Sequence, residues 1–195
     1  KSTHIRTLIF GMFMLYLAGQ VMPAIWPFYT KFMYHWTDKQ IGYSLGFVGI
    51  MVSIVQGGLI KFTQQKFGSE KAIYLGLGMY FVGLVLFSVA NQPWMMYAFT
   101  FIYALGGIAP PAIQGIISGR VPANEQGELQ GMTTALNSIS TILSPLIMTN
   151  LFYEFTKADA LFYFPGAAFA AAALLILVGA YFIVRGLKVR ASTSL

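Results

Sequence analysis

Six long apolar stretches alternate with short polar ones along the chain: Ile5–Thr30, Gln40–Ile60, Ala72–Ala90, Trp94–Ser118, Leu129–Phe152 and Leu161–Val184. A bilayer's hydrocarbon core, about 30 Å thick, is crossed by roughly 20 apolar residues in a helix. The pattern therefore predicts an all-α integral membrane protein, a bundle of six transmembrane helices occupying residues 1–195 as one domain. Polar and small residues interrupt these stretches at helical spacing. In the first, Tyr16, Gln20, Pro23 and Pro27 recur every three or four positions and share a face. The two prolines each remove a backbone hydrogen bond, which predicts a kink in the half of the span away from the N-terminus. The second stretch carries a small-residue stripe, Gly42, Gly46, Gly49, Ser53 and Gly57, suited to close approach of another helix. The fourth repeats it as Gly107, Pro111, Gly115 and Gly119.

The amides are distributed unevenly. Gln20, Gln56, Gln114 and Asn137 fall on the first, second, fourth and fifth stretches, whereas the third and sixth have none. The third offers little polar content beyond Tyr80 and Ser88, and the sixth is apolar all round. The same pattern in each group of three predicts two three-helix inverted repeats with a peripheral third member. An amide in lipid needs partners, since an unsatisfied polar group there costs several kcal/mol. Each amide alone is equally well explained as glue between helices. Four of them on the four non-peripheral helices point instead to a shared hydrated surface.

Composition sharpens this picture. Hydrophobic residues make up 57% of the chain and charged residues 9%, with a mean hydropathy of +0.68. A soluble domain carries about 25% charged residues, so this chain cannot clothe itself in water. The net charge of +6 sits at helix ends rather than in a patch, which argues against nucleic acid. An even number of spans places both termini on one side. Lys1, Arg6, Lys61, Lys66, Lys71, Arg120, Arg185, Lys188 and Arg190 then share that side, against Lys31, Lys39 and Lys157. The bias makes it the cytoplasmic side. Trp26, Trp36, Trp94, Tyr153 and Tyr163 are placed as aromatic anchors near the outer ends. The absence of cysteine excludes disulfides and thiolate metal sites, and His4 and His35 make no metal cluster. Lys1 leads almost directly into a span without an initiator Met, as in a piece of a longer polypeptide.

Away from their ends, the six spans contain no Asp, Glu, Lys or Arg. Proton-coupled carriers commonly hold an intramembrane acid or histidine, so coupling is expected on a partner segment or not at all. An intramembrane hydrolase is disfavoured as well, because neither histidine can serve as base to a mid-membrane serine. No cofactor and no enzymatic activity are expected. Two loops on the terminal face carry candidate gating groups. In the first, Gly68 is suited to a left-handed turn between Lys66 and Lys71. In the second, Asn124 is suited to cap the fifth helix, with Glu125 and Glu128 near its positive end and Arg120 in reach of either.

Several of these segments resemble a known family. The runs GGIAPPAIQG (106–115), EQGELQG (125–131) and SPL (144–146) are similar to the C-terminal half of the tetracycline/proton antiporters of the major facilitator superfamily. The likeness extends to PAIW (23–26), IGYSL (41–45), Val55–Gln56, Lys66–Gly68 and Lys71–Ala72. The resemblance implies half of a twelve-helix fold, with substrate held between two six-helix bundles. It also implies cavity roles for the first, second, fourth and fifth helices. Tetracycline exporters carry an acid where this chain has Tyr80 and a histidine where it has Val52. Their loop signature places Gly and Asp where Lys61 and Gln65 stand.

The expectation is thus the C-terminal half of a bacterial inner-membrane exporter of a drug or small organic molecule, working by alternating access with proton coupling in the other half. Its partners would be an N-terminal six-helix bundle, the small organic substrate and the lipid bilayer. Gln20, Gln56, Gln114 and Asn137 would face substrate, with Tyr16, Trp26 and Tyr80 as aromatic contacts. A complete six-helix module assembling with copies of itself, and a passive facilitator without ion coupling, are the alternatives.

Overall fold

The computed structural model describes residues 2–188. Lys1 and Arg190, counted above toward the basic side, lie outside the described residues. Six helices are long and apolar enough to cross a membrane: α1 (His4–Tyr34), α2 (Asp38–Phe67), α3 (Ser69–Ser88), α4 (Pro93–Ser118), α5 (Ala123–Glu154) and α6 (Ala167–Lys188). No strand occurs among the described residues.

The helix ends follow from local chemistry. Thr37 opens α2 with a capping box, its hydroxyl accepting from the Gln40 N–H while Gln40 Oε1 accepts from the Thr37 N–H. Gly68 ends α2 at φ +80°, the positive value anticipated there, and its N–H closes on the Gln64 carbonyl at 2.9 Å. The last helix begins six residues later than the apolar run suggests, at Ala167 rather than Leu161. Pro165 lacks an N–H and disfavours helical backbone at Phe164. Phe164 instead donates its N–H to the Phe155 carbonyl, and Gly166 lies against Ser88.

Two spans, α1 and α4, are irregular just ahead of prolines. The helical backbone of α1 is broken at Gln20, between Ser2–Gly19 and Val21–Tyr34. Gln20 N–H still reaches the Tyr16 carbonyl and Ala24 N–H reaches the Gln20 carbonyl. The bond that cannot form is the one to the Gly19 carbonyl, because its donor would be Pro23. The kink anticipated from the prolines therefore falls three residues before the first of them. In α4 a tight turn, Gly106–Ile108, precedes Pro110 and Pro111.

Packing follows pairs of helices. α6 packs on α1 as α3 packs on α4, and α5 packs on α1 as α2 packs on α4, while α3 and α6 touch each other. Exchanging α1–α3 with α4–α6 leaves this set of pairings unchanged. Since α1 and α4 run in opposite directions, the triples are inverted repeats. The closest seams are made by glycines. A Cβ at Gly11 would stand 2.9 Å from the Gly179 carbonyl oxygen, and one at Gly83 would stand 2.7 Å from Tyr103 Cα. Gly76 meets Ala109, and Gly106 meets the ring of Tyr80.

By contrast, Gly42, Gly46, Gly49 and Gly57 have no neighbouring atom within 4 Å of where a Cβ would be. The stripe read as a close helix contact is thus not approached by any helix among the described residues. Within the most apolar 18 residues of each span, 61% of α1 is buried, but only 6% of α2 and 17% of α5. Four helices make the core, and two lie open along its flanks.

Candidate functional site

The site is best assembled from its four amides. Gln20 sits at the break of α1, half-buried, one turn beyond the half-buried Tyr16. Gln56 lies in the π-type turn Val55–Leu59 of α2 and is exposed. Its side chain leans on α4, with Nε2 3.7 Å from where a Gly107 Cβ would be. Gln114, on the last turns of α4, is half-buried, and its Oε1 has no hydrogen-bond partner. Asn137 is exposed on α5. None of the four side chains hydrogen-bonds to another described residue, so none acts as glue within this bundle. The structure brings Gln56 to α4 at Gly107, but it does not gather all four amides into one enclosed pocket.

The bonds that do join helices come from other residues. Trp26 Nε1 donates to Ser44 Oγ at 2.8 Å, tying α1 to α2, and Ser144 Oγ donates to the Leu17 carbonyl at 2.8 Å, tying α5 to α1. Tyr29 and Tyr34 hydroxyls both donate to the Ala90 carbonyl, at 2.6 and 3.0 Å. Four other hydroxyls of α5, those of Thr133, Ser140, Thr141 and Thr149, bond their own helix backbone.

Two of the three aromatic candidates, Trp26 and Tyr80, are interior residues. Trp26 is 1% exposed and packs edge-on against Phe87 at 5.4 Å. Tyr80 is 8% exposed, its hydroxyl 3.3 Å from that of Tyr103 and its ring against Gly106. Trp36 is likewise buried, beside Tyr34 and Tyr97, whereas Trp94, Tyr153 and Tyr163 are exposed as interfacial anchors should be. A polar ring edge facing inward finds an internal acceptor, and that is what draws Trp26 away from the lipid.

The loop residues of the terminal face separate into two groups. Lys66 stands over the rings of Phe62 and Phe67 at 5.6 and 5.5 Å, while Gly68 and Lys71 are exposed. Arg120, Glu125 and Glu128 line a groove of about 720 Å³ between the first half of α1 and the start of α5, together with Arg6, Phe10 and Phe13. Arg120 Nη1 donates to the Gly186 carbonyl at 3.1 Å, tying the α4–α5 loop to the end of α6. On the opposite face, the bond to Glu154 raises the pKa of the Lys157 ammonium above its ordinary value.

Asn124 does not cap α5. That loop is clasped by Gln126, whose Nε2 donates to the Ser118 and Val121 carbonyls at 2.7 and 2.8 Å and whose Oε1 accepts from the Ser118 hydroxyl. An amide inside a short loop rich in turn residues was the available signal for this role. The inter-helix bonds of Ser44 and Ser144 had none.

Comparison with known proteins agrees with this architecture. Residues 8–193 match the Major Facilitator Superfamily. The class C tetracycline resistance protein of Escherichia coli is 33% identical over 150 residues, covering 77% of this chain and 38% of that protein. The class E protein of Escherichia coli is 34% identical over 145 residues, covering 74% and 36%. The human hippocampus abundant transcript 1 protein is 26% identical over 144 residues, covering 74% and 29%. The match thus spans less than two fifths of the length of each of these relatives. The chain is a multi-pass membrane protein and belongs to the Major Facilitator Superfamily.

Proposed function

We propose that the chain is the C-terminal six-helix half of a facilitator-superfamily exporter of small organic molecules, seated in a bacterial inner membrane with both termini cytoplasmic. An N-terminal six-helix bundle is its partner, and the two rock against each other around a central site. Gln20, Gln56, Gln114 and Asn137 supply the polar surface of that site, with Tyr16 beside Gln20. One observation carries the reading: four amides without internal partners sit on α1, α2, α4 and α5, and α2 and α5 are the two helices least buried within the bundle. Amides and open flanks of this kind suit a helix surface completed by a second body.

The likeness to tetracycline resistance proteins supports tetracycline as the first substrate to try. Proton coupling is assigned to the partner half, because the middle of every span here lacks ionisable acids and bases. That same lack favours, as a second reading, a passive facilitator.

Tetracycline flux into proteoliposomes separates these readings. The chain alone should give no flux, and the chain joined to an N-terminal half should give flux that accelerates under an imposed pH gradient. Flux from the chain alone would overturn the half-carrier reading. Flux from the joined halves that ignores the gradient would favour the facilitator.

A further inference from the structure

The first and fifth spans run in the same direction and are joined where Ser144 Oγ donates to the Leu17 carbonyl at 2.8 Å. Toward the terminal face they part, leaving between them the groove of about 720 Å³. A pocket for a small ligand usually measures about 300–1,000 Å³. This one is polarised along its length. At its mouth stand Arg6, Arg120, Glu125 and Glu128, two cations and two carboxylates. Deeper in, Phe10 and Phe13 of α1 and Met132 and Leu136 of α5 make apolar walls, over a floor that includes the buried Ile9 and Leu129. Because the two helices run the same way, both walls pass from charged to apolar in the same order. From Arg6 to Phe13 is about 10 Å along the helix, which carries the apolar part into the hydrocarbon of one leaflet. Phe10 and Met132 are 43% and 41% exposed, so the bundle leaves these walls open.

We propose that this groove holds one phospholipid of the surrounding bilayer, with a primary ammonium beside its phosphate, as in phosphatidylethanolamine. Arg6 and Arg120 meet the phosphate oxygens, and the ammonium donates to the carboxylates of Glu125 and Glu128. One acyl chain lies along Phe10, Phe13, Met132 and Leu136. Charge complementarity selects the headgroup. An anionic lipid without an amine would set its phosphate beside two unanswered carboxylates. A choline headgroup carries the same charges but has no N–H to donate. The shape selects a flexible tail, which can follow the groove toward the Ser144–Leu17 junction. A helix about 10 Å across is too wide for that closed end. Since Arg120 also donates to the Gly186 carbonyl, a bound lipid would link α1 and α5 to the end of α6. The inference needs only a chain embedded in a bilayer and does not depend on the exporter reading.

Native mass spectrometry of the chain, equilibrated in mild detergent with lipids of identical acyl chains, tests this. The unaltered protein should retain one phosphatidylethanolamine, roughly fivefold to tenfold over phosphatidylcholine, as two charge-assisted bonds at a half-open rim would give. Retention should fall stepwise through the N-methyl and N,N-dimethyl lipids as each methyl replaces an N–H. This series is read on the unaltered protein and so does not depend on the folding of any variant. Glu125→Gln combined with Glu128→Gln should erase the preference, and Arg6→Gln should weaken retention of every lipid. Met132→Trp narrows the apolar part and should do the same. Equal retention of phosphatidylethanolamine and phosphatidylcholine would overturn the proposal, as would a preference that survives the paired glutamine variant. So would loss of the lipid once the chain is joined to an N-terminal bundle, because a helix of that bundle would then be the occupant.

Discussion

At the scale of single residues, glycines divide into two populations that look alike in the sequence. Gly83 holds α3 against the backbone of Tyr103, whereas Gly46 faces open space. Gly83→Ala should therefore lower the stability of the bundle by about 1–3 kcal/mol, the usual cost of forcing atoms into a packed seam. Gly46→Ala should leave stability unchanged or slightly raised, as alanine is the better helix former. Thermal unfolding in detergent compares the two, and equal losses would contradict the geometry. Trp26 allows a second measurement of this kind. Trp26→Phe removes the donor to Ser44 while keeping an aromatic ring, and should cost about 1 kcal/mol. In the sequence an indole beside two prolines and a glutamine suits a binding face, and nothing local marks the bond it makes inside the bundle. Only the position of Ser44, 18 residues away, reveals the interior bond.

At the scale of helices, most of the elements were legible because length and apolarity alone mark a membrane span. The places where reading failed have local causes. The apolar run beginning at Leu161 includes a loop, since Leu161, Phe162 and Phe164 continue the apolar pattern up to Pro165. The α4–α5 turn was read through its charges, yet its order depends on a neutral amide. Gln126→Leu should free the Ser118 and Val121 carbonyls and fray the turn, costing about 1–2 kcal/mol. Hydrogen exchange over residues 118–126 should rise several-fold, and no change would mean that Arg120 on Gly186 alone holds the loop. The break in α1 shows how a proline acts upstream of itself. The bond lost at Pro23 belongs to Gly19, so the distortion appears at Gln20.

At the scale of the whole molecule, the inverted repeat was visible in the sequence only as the placement of four amides. The pairing of helices supplies the rest: α1, α3, α4 and α6 form a packed quartet, and α2 and α5 lie along it. Bonds such as Ser144 to Leu17, 127 residues apart, belong to this level and leave no local trace. The chain has no cysteine, so single cysteines report without background. Gly46→Cys on α2 and Ser138→Cys on α5 should react slowly with a maleimide while these flanks face lipid, because a thiol in apolar surroundings stays protonated. Joined to an N-terminal bundle around a hydrated site, both should react faster. Unchanged slow labelling of both in the joined protein would show that these flanks still face lipid rather than a hydrated seam.

Uneven helix length has a mechanical consequence. At about 1.5 Å per residue, α3 with 20 residues just matches the hydrocarbon thickness, while α2 with 30 overshoots it by roughly half again. The overshoot must be absorbed by leaning or by protrusion into water. Because α2 has so few internal contacts, its inclination is the cheapest coordinate for the surrounding lipid to adjust. Acyl chains of different length should therefore reset the angle of α2 long before they disturb the quartet.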